Sequence, residues 1–240
     1  EFEIDEKLYS RVFNALDKII VHSDYSREKV LNYLDDERKV ILIPHGTRVD
    51  EVVEEQRNQI SIFGIYSLLK RYECVIHAVE IIKKQLKKDV VIHFYGYIEE
   101  DAKRKYNNSL KARKLGDSII FHGPLSEDKF HKCLRHSQFI ITPYEDSHAS
   151  GIILKAMGHG TPVLSSRVGS IPEYLGEMGE YFSLEDPMSL AEKIILLIED
   201  PVRRKRLGKG LWEKARSEYA WDVVAEKTIQ VYKEILGLSV

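Results

Sequence analysis

Short apolar runs alternate with longer amphipathic segments along most of the 240-residue chain. The segment 70–87, for example, places Cys74, Ala78 and Ile82 on one helical face. Near-continuous apolar strands separated by such helices are typical of a parallel sheet with helices on both faces. The pattern therefore predicts an α/β fold. Strands are predicted at 18–22, 39–43, 60–63, 90–95, 118–121, 138–142, 162–165 and 180–183, and helices at 5–16, 25–35, 70–87, 98–114, 126–136, 151–158 and 187–199.

The end of the chain has a different pattern. The segments 187–199, 202–217 and 221–236 are predicted as successive helices with little strand between them, so we expect a helical C-terminus. The polar segment 44–59, which contains Pro44 and Gly46, is predicted to link a small strand–helix–strand piece to a fuller α/β domain.

Composition restricts the partners. Hydrophobic residues make up 43% of the chain, charged residues make up 31%, and the formal net charge is −2, as in a soluble globular protein without an overall affinity for nucleic acid. The basic stretch 104–114 is predicted to be a solvated helix face, with an anionic partner as the alternative. Cys74 and Cys133 are predicted to be buried thiols rather than a disulfide or metal site, which fits a reducing cytoplasm.

No apolar run approaches the roughly 18 residues of a membrane span, so we expect no integral membrane segment, with peripheral membrane contact left as an alternative. The acidic N-terminus is unlike a signal peptide. The chain begins at Glu1 without a methionine, and we expect it to be part of a longer protein.

Ligands of open parallel sheets bind beyond the carboxyl ends of the strands, so the loops there are the candidate site. The most suggestive is the polar stretch 147–151, which leads directly into a predicted helix. Free N–H groups at a helix start favour an anion, and small residues permit close backbone approach. The alternative is an ordinary helix capped by Ser150. The predicted apolar face of this helix contains Ile152, Ile153, Ala156 and Met157, with 151, 155 and 158–159 directed away from the core.

Lys70 and Arg71 are predicted at the start of a helix, where positive charge opposes the helix dipole. A bound phosphate would compensate this charge, and solvation is the alternative. Glu173 is predicted either to bind a ligand or to favour the positive end of its own short helix. No metal-binding, P-loop, GxGxxG or GxSxG motif occurs.

Taken in order, these segments resemble the retaining GT-B glycosyltransferases of family 4, over nearly the whole chain. The stretch "DKIIVHSDYSREKVLNYL…KVILIPHGTRVD" is similar to the last strand–helix–strand and linker of the family's N-terminal domain. The stretch "FGIYSLLKRYECVIHAVE" is similar to the element that bears the family's phosphate-binding lysine. The core from "IIFHGPLSEDKF" through "SHASGIILKAMGHGTPVLSSRVGSIPE" follows the family in the same order.

The resemblance implies a Rossmann-like donor-binding domain and a nucleotide-diphosphate sugar as donor. It also implies a glycan or lipid-linked acceptor, no cofactor and no required metal. Retaining transfer passes through an oxocarbenium-like state, in which the leaving diphosphate must be stabilised electrostatically. By resemblance, the diphosphate is bound by Lys70 and Arg71. The sugar or phosphate is bound by the loop residues Ser147, His148, Ala149, Ser150 and Gly151, and the base by His122, Gly123 and Leu125.

The chain departs from the family at two acidic positions. The family carries two glutamates eight positions apart, and these positions hold Ser147 and Lys155 here. Lys155 faces the ribose by resemblance, where a lysine can donate to the hydroxyls but cannot accept from them. The arginine expected after the glycine of the phosphate loop is Ile65, and Arg71 could supply that charge.

The resemblance predicts that the chain has three parts. Residues 1–50 are expected to be the end of the acceptor domain and the linker, and residues 51–218 are expected to form the donor-binding domain. The helix in 219–240 is expected to pack back on the N-terminal segment. The leading hypothesis is the donor-binding part of a cytoplasmic retaining hexosyltransferase. The alternatives are a catalytically inactive GT-B-like module used for binding or regulation and, third, a sugar-nucleotide epimerase of similar architecture.

Overall fold

The computed structural model describes residues 6–51, 57–65 and 72–238. Its described residues form two parallel sheets. A two-stranded sheet pairs β1 with β2, and a six-stranded sheet has the order β5-β4-β3-β6-β7-β8 with every neighbouring pair parallel. The strands are β1 (Ile19–Val21), β2 (Val40–Leu42), β3 (Gln59–Phe63), β4 (Ile92–Tyr95), β5 (Ile119–Phe121), β6 (Ser137–Thr142), β7 (Val163–Ser166) and β8 (Glu180–Phe182).

Ten α-helices connect and cover these strands in the described part of the chain. They are α1 (Glu6–Asn14), α2 (Asp24–Leu31), α3 (Glu73–Lys84), α4 (Glu100–Arg113), α5 (Glu127–His136), α6 (Gly151–Gly158), α7 (Ile171–Leu175), α8 (Pro187–Glu199), α9 (Pro201–Lys214) and α10 (Trp221–Leu236). The helix predicted over 202–217 is α9 followed by a π-helical turn at Ala215–Tyr219. Asp186 and Asp200 cap α8 and α9, and a proline occupies the first position of each helix.

The large sheet is buried on both faces. One core joins β3, β4, α3, α4 and α8, and includes Ile62, Phe94 and Ile194. The other joins the opposite face to α5, α6 and α7, and includes Ile140 and Met157. This arrangement confirms the predicted α/β fold with a parallel, Rossmann-like sheet, helices on both faces and a helical C-terminus.

The helix α6 is buried on more sides than its apolar pattern predicted. The prediction directed residues 158–159 away from the core, but Gly158 and His159 are both buried, as is Leu154. Gly158 lies against the segment before β3, because a Cβ there would come within 2.1 Å of the Arg48 carbonyl oxygen. The prediction was wrong because the chain after β2 passes over the end of α6.

The small unit, comprising β1, α2 and β2, is joined to the rest of the molecule by several contacts. The Thr47 N–H donates to the Tyr219 carbonyl at 2.7 Å, and Val224 and Val231 of α10 pack on Ile43 after β2. The helix α10 therefore contacts the small unit, whereas the predicted boundaries at 50 and 218 stay predictions. Neither Cys74 on α3 nor Cys133 on α5 forms a disulfide within the described part of the chain. Among the described helices, none combines the length and apolarity needed to cross a membrane.

Candidate functional site

The strand order of the large sheet reverses between β3 and β6. In such a sheet the two loops that leave the neighbouring strands diverge to opposite faces, which opens a crevice at their carboxyl ends. Gly64 follows β3, and the β6–α6 loop (residues 143–150) follows β6. The topology therefore places the predicted loop at the crevice.

Glycines form the backbone of one side of this crevice. The Gly64 N–H donates to the Tyr95 carbonyl at 3.0 Å, and the Gly96 N–H donates to the Gly123 carbonyl at 2.9 Å. Gly96 has φ +145°, and a Cβ there would lie 1.8 Å from the Gly64 carbonyl oxygen. Only glycine permits this approach of the two loops. Gly123, a predicted base-binding residue, ends the row.

The β6–α6 loop is fixed by its neighbours. The Ser147 carbonyl accepts hydrogen bonds from the Ser170 N–H at 2.8 Å and the Ser170 hydroxyl at 3.0 Å. Gly169 has φ +52°, and a Cβ there would lie 2.2 Å from the same Ser147 oxygen. The loop therefore packs closely on the turn between β7 and α7.

The start of α6 combines a cap with free backbone donors. Ser150 is the N-cap, as the sequence suggested, and its hydroxyl accepts from the Ile153 N–H at 3.3 Å. The N–H groups of Gly151 and Ile152 have no acceptor within the helix, because they belong to its first turn. His148 and Ala149 are exposed beside them. This arrangement suits an anion chemically, since these N–H groups lie at the positive end of the helix dipole.

Lys155 lies one turn further along α6. Its Nζ is 5.0 Å from the centre of the Phe130 ring on α5. Within the described residues no carboxylate pairs with this ammonium group. The Lys155 side chain therefore places a positive charge over an aromatic ring, without an acidic neighbour in the described part of the chain.

An aromatic row continues from Phe130 along the carboxyl ends of β3 and β4. Phe63 contacts Phe130 and Tyr95, with ring centres 4.9 and 5.3 Å apart, and Tyr95 stacks on His122 at 4.6 Å. Burial raises the pKa of Tyr95 to about 12, so its hydroxyl stays protonated and donates to Gln59. His122, predicted to bind the base, is thus an exposed ring supported by this row.

His93 extends the aromatic row beyond His122. Its Nδ1 is 2.9 Å from the His122 Nε2, so one imidazole donates to the other. Partial burial, together with the neighbouring His122, lowers the pKa of His93, which favours the neutral ring needed in this pair. Leu125, also predicted at the base, packs against the same apolar cluster as Phe63.

Comparison with protein families identifies the domain that bears this crevice. The family model described as "Glycosyl transferases group 1" matches residues 47–211, more than half of the chain. The chain belongs to this family. The matched range covers all six strands of the large sheet and the β6–α6 loop.

Curated relatives are glycosyltransferases of several specificities. The chain is 30% identical over 129 residues to "MMP alpha-(1->4)-mannosyltransferase" of Mycolicibacterium hassiacum, covering 52% of this chain and 31% of that protein. It is 23% identical over 201 residues to "N-acetyl-alpha-D-glucosaminyl L-malate synthase" of Bacillus anthracis, covering 78% and 52%. The chain thus spans between about a third and a half of the length of these relatives.

Solved structures share the fold. A glycosyltransferase from Rickettsia africae superposes with a TM-score of 0.84 at 17% identity, covering 97% of this chain and 68% of that one. Anabaena HepE, solved in complex with UDP-glucose, gives a TM-score of 0.84 at 14% identity, covering 98% and 68%. At these identities the likeness shows the fold alone.

The two predicted diphosphate ligands of this group 1 glycosyl transferase, Lys70 and Arg71, lie outside the described residues. The remaining predicted residues fall into two sets. Ser147, His148, Ala149, Ser150 and Gly151 lie together before and at the start of α6, with Lys155 on that helix, whereas His122, Gly123 and Leu125 lie beyond β5. Their roles stay predictions.

The contacts that join the small unit to this crevice were not predicted from the sequence. Tyr25 and Ser23 hydrogen-bond to the β6–α6 loop, and the Glu173 carboxylate, in the first turn of α7, accepts from the backbone at the start of α2. These partners are separated by 121 to 149 residues. No local pattern in the sequence could reveal contacts over that separation.

Proposed function

We propose that this chain is the nucleotide-sugar-binding part of a retaining GT-B glycosyltransferase of family 4. It would transfer a hexose from a nucleotide-diphosphate sugar to a glycan, polysaccharide or lipid-linked acceptor. The observation that supports this best is the β6–α6 loop, which presents the free N–H groups of Gly151 and Ile152 at the crevice between β3 and β6. Family membership gives the reaction class, and retention rests on the resemblance.

Such a site would act by stabilising the negative charge of the leaving diphosphate. Cleavage of the sugar–phosphate bond concentrates negative charge on the departing diphosphate, and preoriented donors stabilise that charge. In this proposal Lys70 and Arg71 neutralise the diphosphate. The start of α6 supplies main-chain donors to the same group.

The remaining contacts concern the sugar, the ribose and the base. The backbone at His148 and Ala149 would contact the donor sugar, because both residues are exposed there. Lys155 would face the ribose and could only donate to its hydroxyls. The exposed His122 ring, with Gly123 and Leu125, would contact the base.

We also propose the conditions under which this site works. Transfer needs no cofactor and no metal, since the proposed cations neutralise the diphosphate themselves. The protein would act in the cytoplasm without a nucleic-acid partner, and a lipid-linked acceptor would require peripheral contact with a membrane. Adding EDTA to a transfer assay should leave the rate unchanged.

Calorimetric titration with UDP-glucose, GDP-mannose and ADP-glucose tests the donor site. We expect at least one of the three to bind, and Lys70→Ala to weaken that binding by about tenfold, the effect of losing a charge-assisted hydrogen bond. Lys83→Ala is the matched control, because it removes the same charge from an exposed lysine in the last turn of α3. No binding by any of the three sugars, with Lys70→Ala indistinguishable from the parent, would refute the proposal.

The inactive module is the competing function, motivated by the absence of a carboxylate at Ser147 and Lys155. The comparisons do not favour it, since the curated relatives named above are enzymes by name. Turnover of a sugar nucleotide by the full-length protein decides between them. Transfer to an acceptor excludes the module, whereas binding without turnover supports it.

A further inference from the structure

The start of α2 is fixed by a carboxylate from the large domain. The Glu173 Oε2 accepts from the Asp24 N–H at 2.7 Å, and its Oε1 accepts from the Tyr25 N–H at 2.9 Å. The Tyr174 hydroxyl also donates to the His22 carbonyl at 2.8 Å. Because the first N–H groups of a helix lack intrahelical acceptors, Glu173 satisfies two of them and fixes the position of α2 beside the crevice.

From this position Tyr25 reaches the β6–α6 loop. Its hydroxyl donates to the Asp146 Oδ1 at 2.8 Å, and the same oxygen accepts from the Ser147 N–H at 2.8 Å. Partial burial raises the pKa of Asp146, but these two hydrogen bonds and the nearby Lys29 outweigh it, so the pKa lies below its ordinary value. Asp146 is therefore an ionised bridge between the Tyr25 side chain and the Ser147 backbone.

A second bond from the small unit acts on the next residue of the loop. The hydroxyl of the buried Ser23 donates to the His148 carbonyl at 3.1 Å. Ser170 binds the Ser147 carbonyl from the β7–α7 side. The backbone at Ser147 and His148 is thus positioned from two sides, and one side belongs to the small unit rather than to the sheet.

We propose that Tyr25 is a positioning residue of the nucleotide-sugar site and acts through Asp146. The proposal rests on the function proposed above for the β6–α6 loop. Ser147 lies four residues before Gly151, so a displaced Ser147 backbone also displaces the free N–H groups that open α6. The small unit therefore sets the geometry of a binding site formed by the large domain.

Amide hydrogen exchange tests the positioning directly and needs no ligand. In the 240-residue chain, Tyr25→Phe removes the hydroxyl that restrains Asp146, and we expect the Ser147 amide to exchange about fivefold faster, as for loss of one hydrogen bond. Tyr33→Phe is the matched control, because it is the same chemical change in the segment that follows α2. Unchanged exchange at Ser147 in Tyr25→Phe overturns the proposal, whether or not a sugar nucleotide binds.

A double-mutant cycle tests the link to binding. With whichever of UDP-glucose, GDP-mannose or ADP-glucose binds the parent, Tyr25→Phe should raise the dissociation constant about fivefold, with an unchanged melting temperature. In an Asp146→Ala background the same change should have almost no effect, since residues that act through one another are not additive. A purely structural role of Tyr25 would give additive effects and a lower melting temperature.

The two measurements separate the possible failures. Faster Ser147 exchange with unchanged affinity, or additive effects in the cycle, overturns the role of Tyr25 in binding. A parent chain that binds none of the three sugars overturns the proposed function, and the exchange result alone then decides whether Tyr25 positions the loop.

Discussion

The two ends of α6 are built from similar residues and have opposite environments. "SHASG" precedes and opens the helix, and "GHGT" ends it, so each end has a histidine, glycine and a hydroxyl residue. At the first end His148 is exposed, and a Cβ added to Gly151 would meet no atom of the described residues within 4 Å. At the second end Gly158 and His159 are both buried.

The second end of α6 is hydrogen-bonded to the segment between β2 and β3. Arg57 donates to the Thr161 hydroxyl and to the His159 carbonyl, each at 2.9 Å. The Asp50 N–H donates to the Gly158 carbonyl at 3.1 Å. This end lies at the amino edge of the sheet, where the chain returns from the small unit. Composition is therefore a poor guide to a ligand site, and the edge of the sheet on which a polar loop lies is a better one.

The largest loss of stability should come from adding one methyl group at the buried end of α6. In Gly158→Ala the new Cβ would lie 2.1 Å from the Arg48 carbonyl oxygen, which must move. We expect the free energy of unfolding, measured by urea denaturation, to fall by about 2 kcal/mol despite the better helix propensity of alanine. Gly151→Ala is the control at the open end and should be neutral or stabilising by up to about 1 kcal/mol. Equal changes in unfolding free energy for Gly158→Ala and Gly151→Ala would contradict the difference in packing between the two ends of α6.

The pH dependence of stability should also come from the buried end. Burial lowers the pKa of His159 to about 4. The nearby charges of His131, Arg135 and Arg48 lower this pKa further, whereas the charge of Asp50 raises it. Since the unfolded chain binds this proton near pH 6.5, the stabilisation is complete above that pH and is lost as the pH falls towards 4.

Between pH 7 and pH 5 this group should lower the unfolding free energy by about 1.8 kcal/mol. His159→Gln should reduce the parent's loss over that interval by the same amount. Urea denaturation at both pH values gives the comparison. A parent and a His159→Gln variant with equal losses would show that His159 does not titrate in this way.

Much of the fold could be predicted from the sequence because its pattern is local. A near-continuous apolar run such as 138–142 is typical of a parallel strand, which is buried on both faces. An amphipathic segment such as 187–199 shows the helical period directly in its sequence. The faces of α6 were harder to predict. Gly158 is buried by the Arg48 segment, which lies about 110 residues earlier in the chain and has no helical period of its own.

The site was predicted less completely for the same physical reason. The β6–α6 loop and its N-cap have a local signature, namely small polar residues between an apolar strand and a helix. The bonds that fix the loop have none, since Tyr25 and Asp146 meet only after the small unit has packed against the large domain. Partners that depend on tertiary packing cannot be read from spacing along the chain.

The smallest loss of stability should come from removing the N-cap hydroxyl at the open end of α6. Ser150→Ala removes the hydroxyl that accepts from the Ile153 N–H, and we expect the unfolding free energy to fall by about 1 kcal/mol. Ser126→Ala is the matched control, because Ser126 stands at the N-cap of α5 without a side-chain capping bond, and its replacement should change stability by less than about 0.5 kcal/mol. Because the cap orients the first turn of α6, Ser150→Ala should also weaken sugar-nucleotide binding, which Ser126→Ala should not. A loss of stability at Ser150 without any loss of binding would mean that the start of α6 serves the fold and not the ligand.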